Sequence, residues 1–295
     1  MKTFEGIIPP IITPFNKDET VNVDVLRKLV DYVIDGGVHG VICCSTVGED
    51  MGFTVREHNL VVETVVDEVN GRVPVFVGIH KPRNQDAVEF AKHAKDAGAD
   101  GVMPMAPAYC TGTPTKQGYY EYYESIAKEG DVPVMIYNYP ERGYGIPVET
   151  IVKLSDLENI VALKNSDYNL ANLSNIIDGC GQKLDIFTGW NKLLIPALTI
   201  GAKGCTGTAG NIAPKAMVQL YEMFKKGDMK SAMELHYSLL PLWEYIFPGA
   251  IMVKEWLNLL GIPCGNPRKP LSPANKETKQ KIRHIYEELQ SKDLM

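Results

Sequence analysis

A lysine closes one of the most apolar segments of the sequence. Lys164 is the last residue of IVALK, a run typical of a strand buried on both faces. Burial disfavours the charged form of an amine and lowers its pKa, which makes the amine a nucleophile. Such an amine condenses with a ketone to give an iminium, an electron sink for making or breaking a carbon–carbon bond. From position alone, a lysine that reaches solvent or pairs with a carboxylate is the simpler interpretation.

Two hydroxyl groups could serve the same chemistry. Tyr137 closes the run VMIY, and a phenol beside a Schiff-base lysine can move the protons that carbinolamine formation and dehydration require. Taken alone, it could equally be a core aromatic residue. Thr46 lies in STVGE, a glycine-containing turn whose backbone amides could bind a carboxylate. Turns of this composition are common, so the motif is weak by itself.

Other catalytic chemistries have little support in the sequence. The six histidines stand at positions 39, 58, 80, 93, 236 and 284 and form no HExxH or HxH motif, so no metal site is predicted. Neither a GxSxG motif nor a phosphate-binding Walker loop is present. His80 follows an apolar run and could contact a substrate or have a structural role.

The order of elements predicts where these residues lie. Eight short apolar runs, beginning near residues 6, 39, 73, 101, 132, 159, 184 and 203, alternate with amphipathic helical segments. This alternation favours a (β/α)8 TIM barrel, whose active site lies at the C-terminal ends of the strands. An open doubly wound sheet is the alternative, although the GxGxxG motif of its dinucleotide-binding form is absent.

The predicted strand ends supply the candidate site. They fall at Thr13, Ser45–Thr46, His80, Ala106, Tyr137–Asn138, Lys164, Gly189–Trp190 and Thr206. Gly189 and Thr206 are therefore candidates for substrate binding beside Lys164. Residues 1–227 are expected to form the barrel, and residues 228–295 a C-terminal helical subdomain with helices at about 228–246, 249–260 and 275–290.

Composition limits the partners and the compartment. The chain has 295 residues, 45% of them hydrophobic, and a formal net charge of -6, which argues against nucleic acid or an anionic membrane as a partner. The six cysteines form no CxxC motif, as expected for reduced thiols. The N-terminus lacks an uninterrupted apolar segment followed by a cleavage site, so a cytoplasmic location is predicted.

Three motifs together carry a resemblance to a known family. With STVGE, YNYPER and VALKNS, the sequence resembles the dihydrodipicolinate synthase and N-acetylneuraminate lyase family, from GIIPPIITPF to VKEWLNLLGIPCGNPRKPLSP. The resemblance implies a class I aldolase that holds pyruvate, or another 2-oxo acid, on Lys164 as a Schiff base and uses no further cofactor. An aldehyde would be the second substrate.

The resemblance also assigns roles to individual residues. Tyr137 matches the proton-shuttling tyrosine, and Thr46 matches the hydroxyl that relays protons to a second tyrosine. Tyr109, in APAY, matches that second tyrosine, which in the family reaches into the neighbouring subunit and implies a homo-oligomer, either a dimer or a tetramer. The amides of Thr46 and Val47 would hold the 2-oxo acid carboxylate. Arg142 would bind the carboxylate of the second substrate.

Departures from the family pattern lie mostly on the side of the second substrate. Val47 replaces a threonine, Ala108 an aromatic residue, and Asn165 an acidic residue. Trp190 and Asn191 replace a frequently acidic pair, and HKPRN, which includes His80, replaces a glycine-rich turn. Arg142 and the YNYP context make condensation of pyruvate with aspartate semialdehyde the leading reaction that the resemblance implies, whereas the departures at Val47, His80, Asn165 and Trp190 suggest sugar acids. A 2-keto-3-deoxy sugar acid aldolase or dehydratase, an N-acetylneuraminate lyase-like enzyme, and a non-catalytic ligand-binding barrel stay open as alternatives.

Overall fold

Parallel strands form one sheet in the computed structural model, which describes residues 3–107, 112–143, 145–247 and 249–295. Within these residues there are eight strands, each hydrogen-bonded to its neighbours in the order β1-β8-β7-β6-β5-β4-β3-β2. They are β1 (Gly6–Ile7), β2 (Val41–Cys43), β3 (Val75–Ile79), β4 (Gly101–Pro104), β5 (Val134–Asn138), β6 (Ile160–Asn165), β7 (Asp185–Thr188) and β8 (Gly204–Cys205).

The two ends of this sheet meet just after β1. Pro10 pairs with Ile42 in a parallel bridge, Ile11 N–H donates to the Ile42 carbonyl at 2.9 Å, and Ile42 N–H donates to the Pro9 carbonyl at 3.0 Å. The sheet is thus closed, which confirms the prediction of a (β/α)8 barrel. The first strand is shorter than its apolar run because two consecutive prolines have no N–H to donate to a ladder. For that reason Thr13 does not end a strand.

A helix follows each strand and covers the outside of the barrel. These helices are α1 (Val23–Asp35), α2 (Val55–Val69), α3 (Asn84–Asp96), α4 (Lys116–Glu129), α5 (Val148–Leu154), α6 (Leu170–Cys180), α7 (Leu194–Thr199) and α8 (Pro214–Lys225). Local sequence sets their ends. Thr54 and Glu57 form a capping box at the start of α2, and Pro214 occupies the first turn of α8.

Three further helices follow the barrel. They are α9 (Met229–Glu244), α10 (Gly249–Leu259) and α11 (Lys276–Ser291), each within two residues of its predicted bounds. Pro241 lies inside α9. Helix α9 packs against α8 and α11. The division into domains at residue 227 remains a prediction. No helix in the described parts of the chain has the length and apolar character needed to cross a membrane.

The inside of the barrel is filled by apolar side chains, including Phe76, Met103 and Phe187, which are fully buried. Ala162 of β6 belongs to this interior cluster. Because side chains alternate along a strand, Lys164 lies on the same face of β6 as Ala162. The fold therefore directs Lys164 into the barrel, close to the C-terminal end of its strand.

Candidate active site

Lys164 is buried at the C-terminal end of the barrel. Its side chain is 4% exposed, and within the described residues it forms no ion pair. Burial lowers the pKa of Lys164 to about 7, and the neighbouring Cys205 thiol raises it by a smaller effect. The interpretation of a lysine that reaches solvent or pairs with a carboxylate is therefore wrong. A large fraction of this amine is neutral near pH 7 and able to attack a carbonyl carbon.

Tyr137 lies beside Lys164 on the adjacent strand. The two residues are partners in the β5–β6 register, and Lys164 Nζ lies 4.3 Å from the centre of the Tyr137 ring. Burial raises the pKa of Tyr137 well above its usual value, while hydrogen bonds with Thr46 and Ser166 act in the opposite direction. The phenol is protonated at neutral pH and adjoins two other hydroxyl groups. Protons can therefore move between Lys164 and this group of hydroxyls.

The turn after β2 carries Thr46. The strand ends at Cys43, two residues earlier than predicted, because Cys44 has a left-handed backbone with φ of 50°. A short 3₁₀ helix follows at Thr46–Gly48, and a second one at Asp50–Gly52. A Cβ atom on Gly48 would lie 3.2 Å from the Ile11 carbonyl oxygen, so the turn packs closely against the start of the chain. Carboxylate binding by the amides of Thr46 and Val47 remains a prediction.

The C-terminal helices anchor this turn through Glu49. Glu49 Oε1 lies 2.7 Å from Lys254 Nζ of α10, and Glu49 Oε2 accepts the backbone N–H of Arg268 at 2.8 Å. The Lys254 and Glu49 side chains are 1% and 8% exposed, so the ion pair is almost completely excluded from water. Arg268 continues the contact by donating to the Glu19 carbonyl and to Glu57.

A single cavity of about 710 Å³ joins these elements. It is lined by the seven described residues to which the sequence assigned catalysis or substrate binding, namely Thr46, Val47, Tyr137, Arg142, Lys164, Gly189 and Thr206. Gly189 leaves space for Ser166, since a Cβ atom at this position would lie 2.0 Å from Ser166 Oγ. Thr206 Oγ1 donates to the Thr188 carbonyl at 3.3 Å. Tyr109 lies outside the described residues, and the roles of all these residues remain predictions.

Aromatic side chains line the outer part of the cavity, and we call Tyr139, Tyr168, Trp190 and Phe247 the aromatic wall. Trp190 stacks on Tyr168 at 4.0 Å between ring centres and contacts Phe247 at 5.7 Å and Tyr139 at 6.0 Å. Arg142 lies over the Phe247 ring at 5.6 Å. The sequence named Trp190 but not its neighbours, because Phe247 comes from the segment between α9 and α10 and shares no motif with the strand ends.

His80 is close to Tyr137 but is not among the described residues that line the cavity. Its Nδ1 atom is hydrogen-bonded to Asp50 Oδ2, and its ring makes an edge-to-face contact with Tyr137 at 6.5 Å between centres. These contacts agree better with a structural role for His80 than with direct contact between His80 and a substrate. Among the described residues, no group of three or more histidine, cysteine or acidic side chains is arranged to hold a metal ion.

Comparisons with known proteins agree with this arrangement. The model of the dihydrodipicolinate synthetase family matches residues 3–289. A 4-hydroxy-tetrahydrodipicolinate synthase of Methanococcus vannielii is 38% identical over 97% of this chain and 98% of its own. The crystal structure of dihydrodipicolinate synthase from Aquifex aeolicus has a TM-score of 0.93 and 34% identity, with 99% of each chain covered.

A third relative was solved with a small molecule bound. YagE, a prophage protein of E. coli K12 from the dihydrodipicolinic acid synthase family, was solved in complex with pyruvate; it has a TM-score of 0.92 and 27% identity, with 100% of each chain covered. The match of the family model spans the whole barrel, α9, α10 and all but the last two residues of α11. This chain therefore belongs to the dihydrodipicolinate synthetase family, whose members are class I aldolases and lyases.

Proposed function

We propose that this protein condenses pyruvate, held on Lys164 as a Schiff base, with aspartate semialdehyde, and so is a 4-hydroxy-tetrahydrodipicolinate synthase. The observation that carries the proposal is the buried Lys164 amine, which has a pKa of about 7, forms no ion pair with a described residue and lies next to the Tyr137 ring. The names of the relatives support the choice of acceptor. The test is to supply purified protein with both substrates. Product formation supports the proposal, and turnover of sugar acids alone would contradict it.

The geometry indicates how the proposed reaction starts at Lys164, and the chemistry of the two substrates gives the later steps. The neutral Lys164 amine attacks C2 of pyruvate, and its proton and one from the Tyr137 side pass to the former carbonyl oxygen, which leaves as water. The iminium then loses a proton from the methyl carbon and becomes an enamine. This carbon attacks the aldehyde of the second substrate, whose oxygen takes up a proton. Finally the amine of aspartate semialdehyde displaces Lys164 from C2 and closes the ring.

The pH dependence of Schiff-base formation follows from the lowered pKa of Lys164. Below pH 7 the amine is mainly protonated, so the initial rate of trapping pyruvate with cyanoborohydride should fall about tenfold for each further pH unit. Above about pH 8 the rate should be constant, because nearly all of the amine is then neutral. A rate that continues to rise through the alkaline range would show a lysine with the ordinary pKa.

Arg142 is proposed to bind the carboxylate of the acceptor. Arg142→Lys should raise KM for aspartate semialdehyde about 10- to 100-fold, because an ammonium cannot form the two parallel hydrogen bonds of a guanidinium. Steady-state kinetics at saturating pyruvate measures this effect. Trapping of pyruvate on Lys164 should be unchanged and serves as the control. An equal loss in trapping would place Arg142 on the pyruvate side.

A second candidate function is favoured by the aromatic wall. The C–H faces of a sugar acid pack well on aromatic rings, and Trp190, stacked on Tyr168, offers such a surface beside Arg142. Under this proposal the protein cleaves or dehydrates 2-keto-3-deoxy sugar acids. Incubating the protein with a panel of these acids, and measuring pyruvate or 2-oxoglutarate release, separates this candidate from the first.

The working assembly is proposed to be a cytoplasmic homo-oligomer. The support for an oligomer is Tyr109, whose counterpart in the family reaches a neighbouring subunit's site, and the support for the compartment is a set of six cysteines with no CxxC motif. Sedimentation of active wild type and of Tyr109→Phe tests the assembly. A wild type that is active as a monomer would contradict the proposal.

A further inference from the structure

Two ionisable side chains are buried together near Tyr137, and neither of them lines the cavity. Asp50 and His80 are hydrogen-bonded through Oδ2 and Nδ1, and their side chains are 3% and 2% exposed. Asp50 Oδ1, His80 Nε2 and the nearby Ser45 Oγ are buried and have no hydrogen-bond partner among the described residues. The pair is therefore only partly satisfied, which is an uncommon condition for buried polar groups.

Such a pair is a poor source of stability. Removing polar side chains from water costs free energy in general, and their mutual hydrogen bond offsets this cost only when the remaining polar atoms are also satisfied. Here three atoms have no partner among the described residues. An apolar pair of the same size would fill the space at a smaller cost. The position of the pair is thus more informative than its contribution to folding.

The pair joins the two elements that carry the hydroxyl groups of the site. Asp50 begins the second 3₁₀ helix of the turn that holds Thr46, four residues earlier. His80 follows β3, and its ring makes an edge-to-face contact with Tyr137 at an interplanar angle of 77°. The Thr46 hydroxyl is close enough to the Tyr137 phenol to lower the pKa of Tyr137. The Asp50–His80 contact therefore connects the turn that carries Thr46 to the ring of Tyr137.

The other side of the same turn is held independently. Glu49, the residue before Asp50, is bound by Lys254 and by the backbone of Arg268. The turn is thus attached to the C-terminal helices on one side and to the end of β3 on the other. Loss of the His80 attachment would leave the Glu49 attachment in place.

We infer that Asp50 and His80 are positioning residues that hold Thr46 and Tyr137 in register for proton transfer during Schiff-base formation. The inference rests on the proposed Schiff base at Lys164 and is independent of which acceptor is used. Neither residue touches the substrate. The pair acts on the rate of the proton-transfer steps, while pyruvate affinity depends on the turn that Glu49 anchors.

Two substitutions of His80 separate positioning from packing. His80→Phe keeps a ring against Tyr137 but removes the hydrogen bond to Asp50, whereas His80→Asn keeps a donor close to the position of Nδ1. We expect His80→Phe to lower kcat, and the rate of borohydride trapping of pyruvate, about 10- to 100-fold, with KM for pyruvate within about twofold of wild type. His80→Asn should recover most of both rates.

Two variants of Asp50, the partner of His80, likewise compare loss of the Asp50–His80 hydrogen bond with its retention. Asp50→Asn retains an acceptor for His80 and should stay within about threefold of the wild-type trapping rate, whereas Asp50→Ala should match His80→Phe. If His80→Phe does not fold, this pair decides the question. Melting temperatures are measured for all four variants, since a purely structural role predicts loss of stability in proportion to loss of rate.

Three results would overturn the inference. They are an unchanged kcat in His80→Phe, equal losses in His80→Phe and His80→Asn, and a rise in KM for pyruvate that accounts for the whole loss in kcat/KM. Failure of the proposed function gives a different result, because wild type itself would then trap no pyruvate.

Discussion

Lys164→Arg should form no covalent adduct when borohydride is added to the protein in the presence of pyruvate. A guanidinium stays protonated at every accessible pH, so it cannot attack the carbonyl carbon even though it fits a similar space. Wild type should gain the mass of one reduced pyruvate per chain. Intact mass spectrometry measures both outcomes, and turnover of the variant should fall to the rate without enzyme.

The cavity offers a matched control for this substitution. Lys192 also lines the cavity, but its amine is paired with Glu244 and is partly exposed, unlike the buried amine of Lys164. Lys192→Arg should therefore trap pyruvate like wild type. A pyruvate adduct on the Lys164→Arg variant would contradict the assignment of Lys164 as the nucleophile. Absence of an adduct on wild type would instead favour a barrel that binds a ligand without catalysis.

Lys254→Met should lower the free energy of unfolding by about 3–5 kcal/mol. The substitution leaves the Glu49 carboxylate buried with the backbone N–H of Arg268 but without its cation. Urea denaturation of wild type and variant measures the difference. Because Glu49 follows the turn of Thr46 and Val47, activity should fall as well.

Two further variants test whether the loss of stability in Lys254→Met is caused by the burial of the Glu49–Lys254 ion pair. Lys292→Met breaks an exposed pair with Glu288 in α11 and should change stability by less than about 0.5 kcal/mol. Lys254→Met combined with Glu49→Gln should recover part of the lost stability, because no buried charge is then left unpaired. Equal effects of Lys254→Met and Lys292→Met would contradict the importance of burial.

The barrel could be predicted because its signals are local. Each apolar run and each amphipathic segment is contained within about fifteen residues, so hydrophobic periodicity was sufficient to place the strands and helices. The predicted length of the first strand was wrong, because two prolines interrupt the hydrogen-bonded ladder without interrupting the apolar pattern of the sequence. Strand two ended early for a similar reason, as the left-handed backbone of Cys44 leaves no mark in hydropathy.

The candidate site was predictable only where strand ends determine it. Lys164 and Tyr137 are neighbours in a strand register, so two correct strand assignments bring them together. The Glu49–Lys254 pair joins residues 205 positions apart, and the Asp50–His80 pair joins residues 30 positions apart. Neither pair is linked by a hydrophobic period or by a sequence motif. These contacts depend on how loops pack across the end of the barrel, which the sequence alone does not specify.

The β5–β6 register that pairs Tyr137 with Lys164 has an evolutionary consequence. The distance between the two groups is set by a hydrogen-bonded ladder at the centre of the fold, so mutations elsewhere in the chain change this distance little. The surface that we propose faces the acceptor is built from connecting segments, with Arg142 in the loop after β5 and Phe247 between two C-terminal helices. Loops accept substitutions at little cost to folding. A lineage can therefore exchange one aldehyde for another while the covalent chemistry is preserved unchanged.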